Sequence, residues 1–254
     1  MDKEILSLVI VEDEEIMLRE LINAIDWQRL GIKIIATCRD GEEGERVIKE
    51  KTPDIVITDI RLPKQNGLEM LSHCPMLYQN VLVLSGFTNF QYTRKAIQLG
   101  VFDYLEKPVE DEELEKIADK LASRIRDEHR EEREMGKEGK DAIALPTEVE
   151  NHQIKQVISF IKEMYKKQIS LSDAAEHVKL TENHLSTLFK ESTGINYLQY
   201  LNAYRINRAI DLMKNSSYNI SEISAETGFP NSGYFARLFK RYTGLTPREY
   251  RDKL

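Results

Sequence analysis

Apolar residues follow two rhythms along this chain, and the rhythm changes near residue 148. Before it, short continuous apolar runs alternate with amphipathic segments: LSLVIV, IVIT, VLVL and the shorter DYLE. Continuous runs of strand length read as strands buried on both faces, and strands alternating with helices predict an α/β domain with a doubly wound parallel sheet. After residue 148 the strand signals stop. Ile154, Val157, Ile158, Ile161 and Met164 lie at helical spacing, and the remainder reads as short helices punctuated by Ser, Thr, Gly and Pro, which predicts an all-α domain.

Between the two parts, Leu114, Ile117, Leu121 and Ile125 step by three and four, forming one apolar stripe on a helix that packs on its own sheet in preference to a short coiled coil. The text that follows, RDEHREEREMGKEGKD, offers little to bury and reads as a charged linker or a helix that runs past the domain and frays. The expected division is therefore 1–125, a linker over 126–147, and 148–254.

Charge sharpens that division. The net charge is −7, yet Met1 to Asp127 carries 17 Lys and Arg against 25 Asp and Glu, whereas Glu148 to Leu254 carries 15 against 12. An acidic front and a mildly basic back permit a phosphate-backbone partner for the second part only. A chain of 254 residues with 41% apolar and 31% charged content suits two globular domains with real cores. No stretch approaches membrane-spanning length and no basic start precedes a hydrophobic block, so a cytoplasmic protein without membrane contact is expected. Cys38 and Cys74 lack metal-site spacing and read as reduced structural thiols.

Each apolar run of the first part ends in a chemical group: Glu12 and Asp13 after LSLVIV, Asp59 after IVIT, Ser85 after VLVL and Lys107 after DYLE. In a doubly wound sheet the carboxyl ends of the strands meet along one edge, so these groups converge. Glu12, Asp13 and Asp59 suit Mg²⁺, which takes a few carboxylates and keeps oxygens for water and phosphate. Asp59 is the expected phosphoryl-accepting nucleophile, with Lys107 as a fixed cation and Ser85 as a hydroxyl for the phosphoryl oxygens.

With IRLPKQNG after Asp59, Pro108 after Lys107 and Tyr104 three residues earlier, residues 5–123 resemble the receiver domain of two-component response regulators, which implies a flavodoxin-like fold with a doubly wound, five-stranded parallel sheet. The resemblance implies that Asp59 is the phosphoacceptor, that Glu12 and Asp13 form the acidic pocket, and that the Arg61 carbonyl is a further Mg²⁺ ligand. It also implies that Ser85 and Tyr104 are the switch hydroxyl and switch aromatic, that Lys107 contacts phosphate, and that the Lys107–Pro108 bond is cis. Arg61 and Phe87, each two residues past a site residue, occupy places that tune water access. SHCPMLYQN, before the fourth strand, leaves the end of the third helix of this domain undefined.

The second part contains an internal repeat. LSDAAEHVKLTENHLSTLFKESTG, from Leu171, aligns with ISEISAETGFPNSGYFARLFKRYTG, from Ile220, at an offset of 49 before the turn and 50 after it. Each copy reads as a helix with a small residue in its middle (Ala175, Ser224), a tight turn, a capping residue (Thr181, Asn231) and a second helix, which is helix-turn-helix geometry. The units span about 170–191 and 219–242 and are joined by a helix over about 196–214.

With FARLFKRYTGLTPREY closing it, residues 154–250 resemble the DNA-binding domain of AraC-type regulators. In that family a long helix holds both recognition helices on one face; here Leu198, Leu201, Ile206, Ile210 and Met213 of the joining helix would face inward. Two successive major grooves would then be read about 34 Å apart. Candidate DNA-contacting residues are Asn183, His184, Ser186, Thr187 and Lys190 in the first unit, and Asn231, Ser232, Tyr234, Arg237, Lys240 and Arg241 in the second. Arg237 suits guanine and Asn183 or Asn231 adenine, while Lys190, Lys240 and Arg241 suit phosphate and His184 a cap or phosphate contact.

Together the halves point to a phosphorylation-controlled transcription regulator. A partner histidine kinase would phosphorylate Asp59 in the presence of Mg²⁺; Ser85 and Tyr104 would settle toward the site and repack the face of the domain's fourth helix and fifth strand. A homodimer through that face would bind double-stranded promoter DNA. An enzyme turning over small phosphate esters at Asp59 would need a substrate pocket that no other segment supplies. A constitutive binder would not need the complete set of site residues, and a helical domain acting on protein would not need two copies with Arg and Lys on their outward faces.

Overall fold

The computed structural model describes residues 4–74, 80–86, 92, 94, 96, 99, 101–138, 142–146 and 149–254. Two compact units divide it, Met1–Glu128 and His129–Leu254.

The first unit is the expected five-stranded sheet, built from β1 (Leu6–Val11), β2 (Ile32–Cys38), β3 (Ile55–Asp59), β4 (Val81–Ser85) and β5 (Asp103–Glu106). Every neighbouring pair is parallel and the order is β2-β1-β3-β4-β5. The chain runs outward from β1 to β2 and then returns past β1 to β3, so the switch point lies between β1 and β3, where ligands bind in open α/β sheets. Alternation along the strands divides the core. Leu6, Leu8, Ile10, Ile55 and Ile57 point to one face, under α1 (Glu15–Asn23) and the early turns of a long helix. Val9, Val11, Val56 and Val81 point to the other, under α2 (Gly41–Lys51) and α3 (Gly67–Ser72). The domain's expected fourth helix lies largely outside the described residues, as does Pro75–Gln79; α3 itself ends at Ser72.

The long helix α4 (Asp111–Glu138) begins in the first unit and its last turns belong to the second. Its stripe, Leu114, Leu121 and Ile125, is buried against the sheet, with Ile117 packed at its edge. Of the two readings of the charged run, the helix that runs past the domain describes residues 126–138. Arg126, read as the first linker residue, donates to the carbonyls of Glu4, Leu30 and Gly31 at 3.0, 2.6 and 3.1 Å and so fastens α4 to the first unit. Ile143 exchanges two hydrogen bonds with the Asn207 side chain, at 2.7 and 2.8 Å, and is buried. Sequence composition missed this because the partners are 64 to 122 residues away.

The described part of the second unit is otherwise helical: α5 (His152–Met164), α6 (Leu171–His177), α7 (Glu182–Thr193), α8 (Tyr197–Asn215), α9 (Ile220–Glu226), α10 (Ser232–Thr243) and α11 (Pro247–Arg251). The sequence repeat reappears as two similar helix pairs, α6–α7 and α9–α10. Ser170 and Asn219 begin the first helices with capping boxes, Thr181 and Asn231 cap the second helices, and both of those end on left-handed glycines, Gly194 and Gly244. α8 joins them: Tyr197, Tyr200 and Leu201 lie in the core of the first pair, and Ala203, Ile206, Ala209, Ile210 and Met213 in the core of the second. Leu198, expected inward, is only half-buried; Gln199 and Tyr200 take the inward positions beside it.

Candidate functional site

Three backbone features bring the charged residues together. β1 ends at Val11, and the Glu12 amide continues its ladder by donating to the Cys38 carbonyl at 3.0 Å. β3 ends on Asp59 itself, and the chain then folds back so closely that a Cβ on Gly67 would collide with the Asp59 carbonyl. Only glycine allows that approach, and Asn66 starts α3 beside it by accepting from the Glu69 amide. The Lys107 amide donates to the Ser85 carbonyl at 2.8 Å, which aligns the ends of β4 and β5, and the Lys107–Pro108 bond is cis as expected.

The result is a compact carboxylate cluster at the switch point. Oxygens of Glu12, Asp13 and Asp59 lie within 4.8 Å of one another. Glu12 is 0% exposed and Asp59 9%. Lys107 Nζ donates to Asp59 Oδ2 at 2.5 Å and to Glu12 Oε2 at 2.7 Å, while the Arg61 amide donates to Asp59 Oδ1 at 3.1 Å. Burial works against the Lys107 ammonium, but its two hydrogen-bonded carboxylates outweigh that and raise its pKa above the usual lysine value. For Glu12 burial wins, and its pKa is raised even though Lys107 opposes the shift. Three clustered carboxylates, two of them on the same ammonium, suit a hard divalent cation, which would supply further positive charge.

Ser85 is buried at the end of β4, and Tyr104 is half-buried on the second-core face of β5. Arg61 is exposed just past Asp59; Phe87 falls outside the described residues. Gly67 was present in the IRLPKQNG text, but its role depends on the return of the chain and was not readable there.

The helix pairs expose a less concentrated surface. Asn183, His184, Thr187 and Lys190 are exposed on α7, and Arg237 and Lys240 on α10, whereas Ser186 and Ser232 are half-buried. The His184 amide is capped by Thr181 at 3.4 Å, and Thr187 donates back to the Asn183 carbonyl at 3.1 Å.

Three of the residues expected at the DNA, in and beside α10, also have partners within the second unit. Arg241 donates to Glu132 of α4 at 3.1 Å, with their side chains 17% and 7% exposed. Tyr234 is half-buried, and burial raises the pKa of its hydroxyl above the ordinary phenol value. The Asn231 side-chain oxygen is committed to the cap, accepting from the Tyr234 amide at 2.8 Å. The cause for Arg241 is the end of α4: Gly136 lies where a Cβ would meet the Tyr242 carbonyl, Glu131 accepts from Gln199 at 3.1 Å, and Met135 packs at the edge of this core. A run of alternating charges had concealed a docking face.

The fold and the carboxylate cluster define a receiver-type domain followed by a helical DNA-binding-type domain. The response regulator receiver domain family matches residues 8–119, and a helix-turn-helix domain family matches residues 174–253. The transcriptional regulatory protein HptR of Staphylococcus aureus is 32% identical over 246 residues, covering 96% of this chain and 97% of that protein. An uncharacterized response regulatory protein of Staphylococcus epidermidis is 31% identical over 245 residues, again covering 96% and 97%. Among solved structures, the receiver domain of AraT from Geobacillus stearothermophilus matches 49% of this chain and 98% of its own, at 27% identity and a TM-score of 0.46. The chain belongs to the response regulators that join a receiver domain to an AraC-type helix-turn-helix domain, and is thus a two-component transcription regulator rather than a conventional enzyme. Among the described residues no helix is long and apolar enough to cross a membrane.

Proposed function

We propose that Asp59 accepts a phosphoryl group from a partner histidine kinase and that this modification controls binding of the second unit to double-stranded promoter DNA. The observation that carries the reading is the position of Asp59: at the carboxyl end of β3, beside two further carboxylates and within 2.5 Å of Lys107 Nζ.

In the transfer, an Asp59 carboxylate oxygen attacks phosphorus, the bond from phosphorus to the donor's imidazole nitrogen breaks, and an acyl phosphate forms. Glu12, Asp13, Asp59 and the Arg61 carbonyl would hold Mg²⁺, which supplies charge neutralisation between the incoming phosphoryl group and the carboxylates. Lys107 follows the charge as it moves: its ammonium, now bound to Asp59 and Glu12, is positioned to pair with a phosphoryl oxygen. Ser85 and Tyr104 would then settle toward the modified site and favour a homodimer through the face that includes β5.

Each helix pair is read as a helix-turn-helix unit, with α7 and α10 as recognition helices. Asn183 and Arg237 are the preferred base-reading side chains, and Lys190 and Lys240 the preferred phosphate contacts, since all four are exposed. Incubation with Mg²⁺ and a small-molecule phosphodonor tests the first half of the proposal. Intact-mass analysis should find one phosphoryl group, located on Asp59 and dependent on Mg²⁺; incorporation elsewhere, or equal incorporation without Mg²⁺, would overturn it.

A further inference from the structure

At the junction between the two cores of the second unit stands a buried cation. Arg205, on α8, is 0% exposed. Its Nε donates to the Tyr165 carbonyl at 2.8 Å and its Nη2 to the Lys167 carbonyl at 2.7 Å, while its guanidinium carbon lies 5.8 Å from the centre of the Phe229 ring. Nη1 is buried without a hydrogen-bond partner. Burying a guanidinium without a carboxylate is costly, and a methionine or leucine would fill similar volume at less cost. Packing alone therefore does not account for an arginine here.

Its partners belong to two different places in the repeat. Tyr165 and Lys167 lie between α5 and α6 and lead into the first helix pair, whereas Phe229 lies in the turn of the second. The same two segments are fastened twice more: Gln168 Nε2 donates to the Gly228 carbonyl at 2.9 Å, and Lys166 Nζ pairs with Glu226 at 2.8 Å. Gly228 adopts φ +80°, and a Cβ there would collide with the Tyr165 carbonyl. The entry to the first pair, the turn of the second and the joining helix meet at one point, with the planar Arg205 fork across it.

We propose that Arg205 is a positioning residue that sets the separation and orientation of the two helix pairs, and so determines which spacing between two DNA half-sites the protein accepts. This rests on the reading that both pairs enter the DNA. A helix joint held at only one end would swivel, and the two recognition helices would then tolerate several spacings at reduced affinity for each.

The test uses the full chain with Mg²⁺ and beryllofluoride, first to select DNA and then to measure affinity across probes whose half-sites are moved apart or together by one, two and three base pairs. Arg205→Met keeps volume without the fork, Arg205→Lys keeps charge with one donor group, and Gln168→Ala loosens the same junction from an exposed position. The wild type should prefer one spacing by about tenfold or more over a one-base-pair change. The variants should flatten that preference to about threefold or less while selecting the same bases within each half-site, Gln168→Ala least. Circular dichroism establishes which variants are folded, and Gln168→Ala decides the matter if neither Arg205 variant folds. Folded variants that lose affinity equally at every spacing would overturn the proposal and leave Arg205 a purely stabilising residue. A wild type that selects only one half-site would instead refute the two-groove reading beneath it.

Discussion

The carboxylate site and the surface proposed to face DNA are built in opposite ways. At the first, side chains from three strand ends converge and contact one another: Lys107 holds both Asp59 and Glu12, and Asp13 completes the cluster. At the second, the exposed residues of α7 and α10 point away from their scaffold, and order lies in what is behind them: paired caps, left-handed glycines and the Arg205 junction. A convergent site can lose its chemistry while the fold survives. A projecting surface depends on its scaffold, so damage behind it should appear first as lost stability.

Asp59→Asn is the all-or-none case. It should abolish phosphoryl incorporation by mass analysis and phosphate-dependent DNA binding while leaving the circular dichroism spectrum unchanged; a stable phosphoryl group still gained at this site would break the contrast. Gly228→Val should act in the reverse sense, destabilising the second unit by about 3 kcal/mol in chemical denaturation, because it combines a left-handed φ of +80° with a collision against the Tyr165 carbonyl.

Glu132→Gln comes next. It leaves Arg241 half-buried and without its carboxylate, which should cost about 1–3 kcal/mol in the same experiment. An unchanged midpoint would mean that the end of α4 only rests on α10.

A smaller, pH-dependent effect belongs to Glu45 in the first unit. Burial opposes its charge, but hydrogen bonds from Lys49, His73 and Gln65 prevail and hold its pKa down to about 2. A depressed carboxylate contributes stability that is complete above its unfolded value, near 4.5, and is lost as pH falls toward 2. Thermal melts of Glu45→Gln should therefore match wild type more closely at pH 2 than at pH 6, by about 1 kcal/mol after allowance for its partial exposure.

The smallest effect tests the repeat itself. Lys179 holds φ +57° at the turn position where the second copy has Gly228, so Lys179→Gly should stabilise by no more than about 1 kcal/mol, relieved strain being offset by backbone entropy.

The same contrast explains what could be read from the chain. Strand-sized apolar runs and the groups that end them gave Glu12, Asp13, Asp59, Ser85 and Lys107, because a parallel sheet sends all its carboxyl ends to one edge. The repeat likewise disclosed both helix pairs, since caps and glycines are local signals. Glu132, Arg205 and Gly67 were not legible in that way. Glu132 sits in a charged run, Arg205 looks like an ordinary polar helix position, and Gly67 looks like a turn; each acquires meaning only from a partner brought in by the fold. The same limit hid the partner that Arg241 has within the unit, Glu132.

The most direct test of a phosphorylation-controlled DNA reader is selection of bound fragments from a genomic DNA pool with Mg²⁺ present, with and without beryllofluoride. The account predicts enrichment of one motif, with half-sites about 10 base pairs apart, mainly when beryllofluoride is added. Equal enrichment in both conditions would contradict control by Asp59, and no enrichment in either would contradict the DNA reading itself.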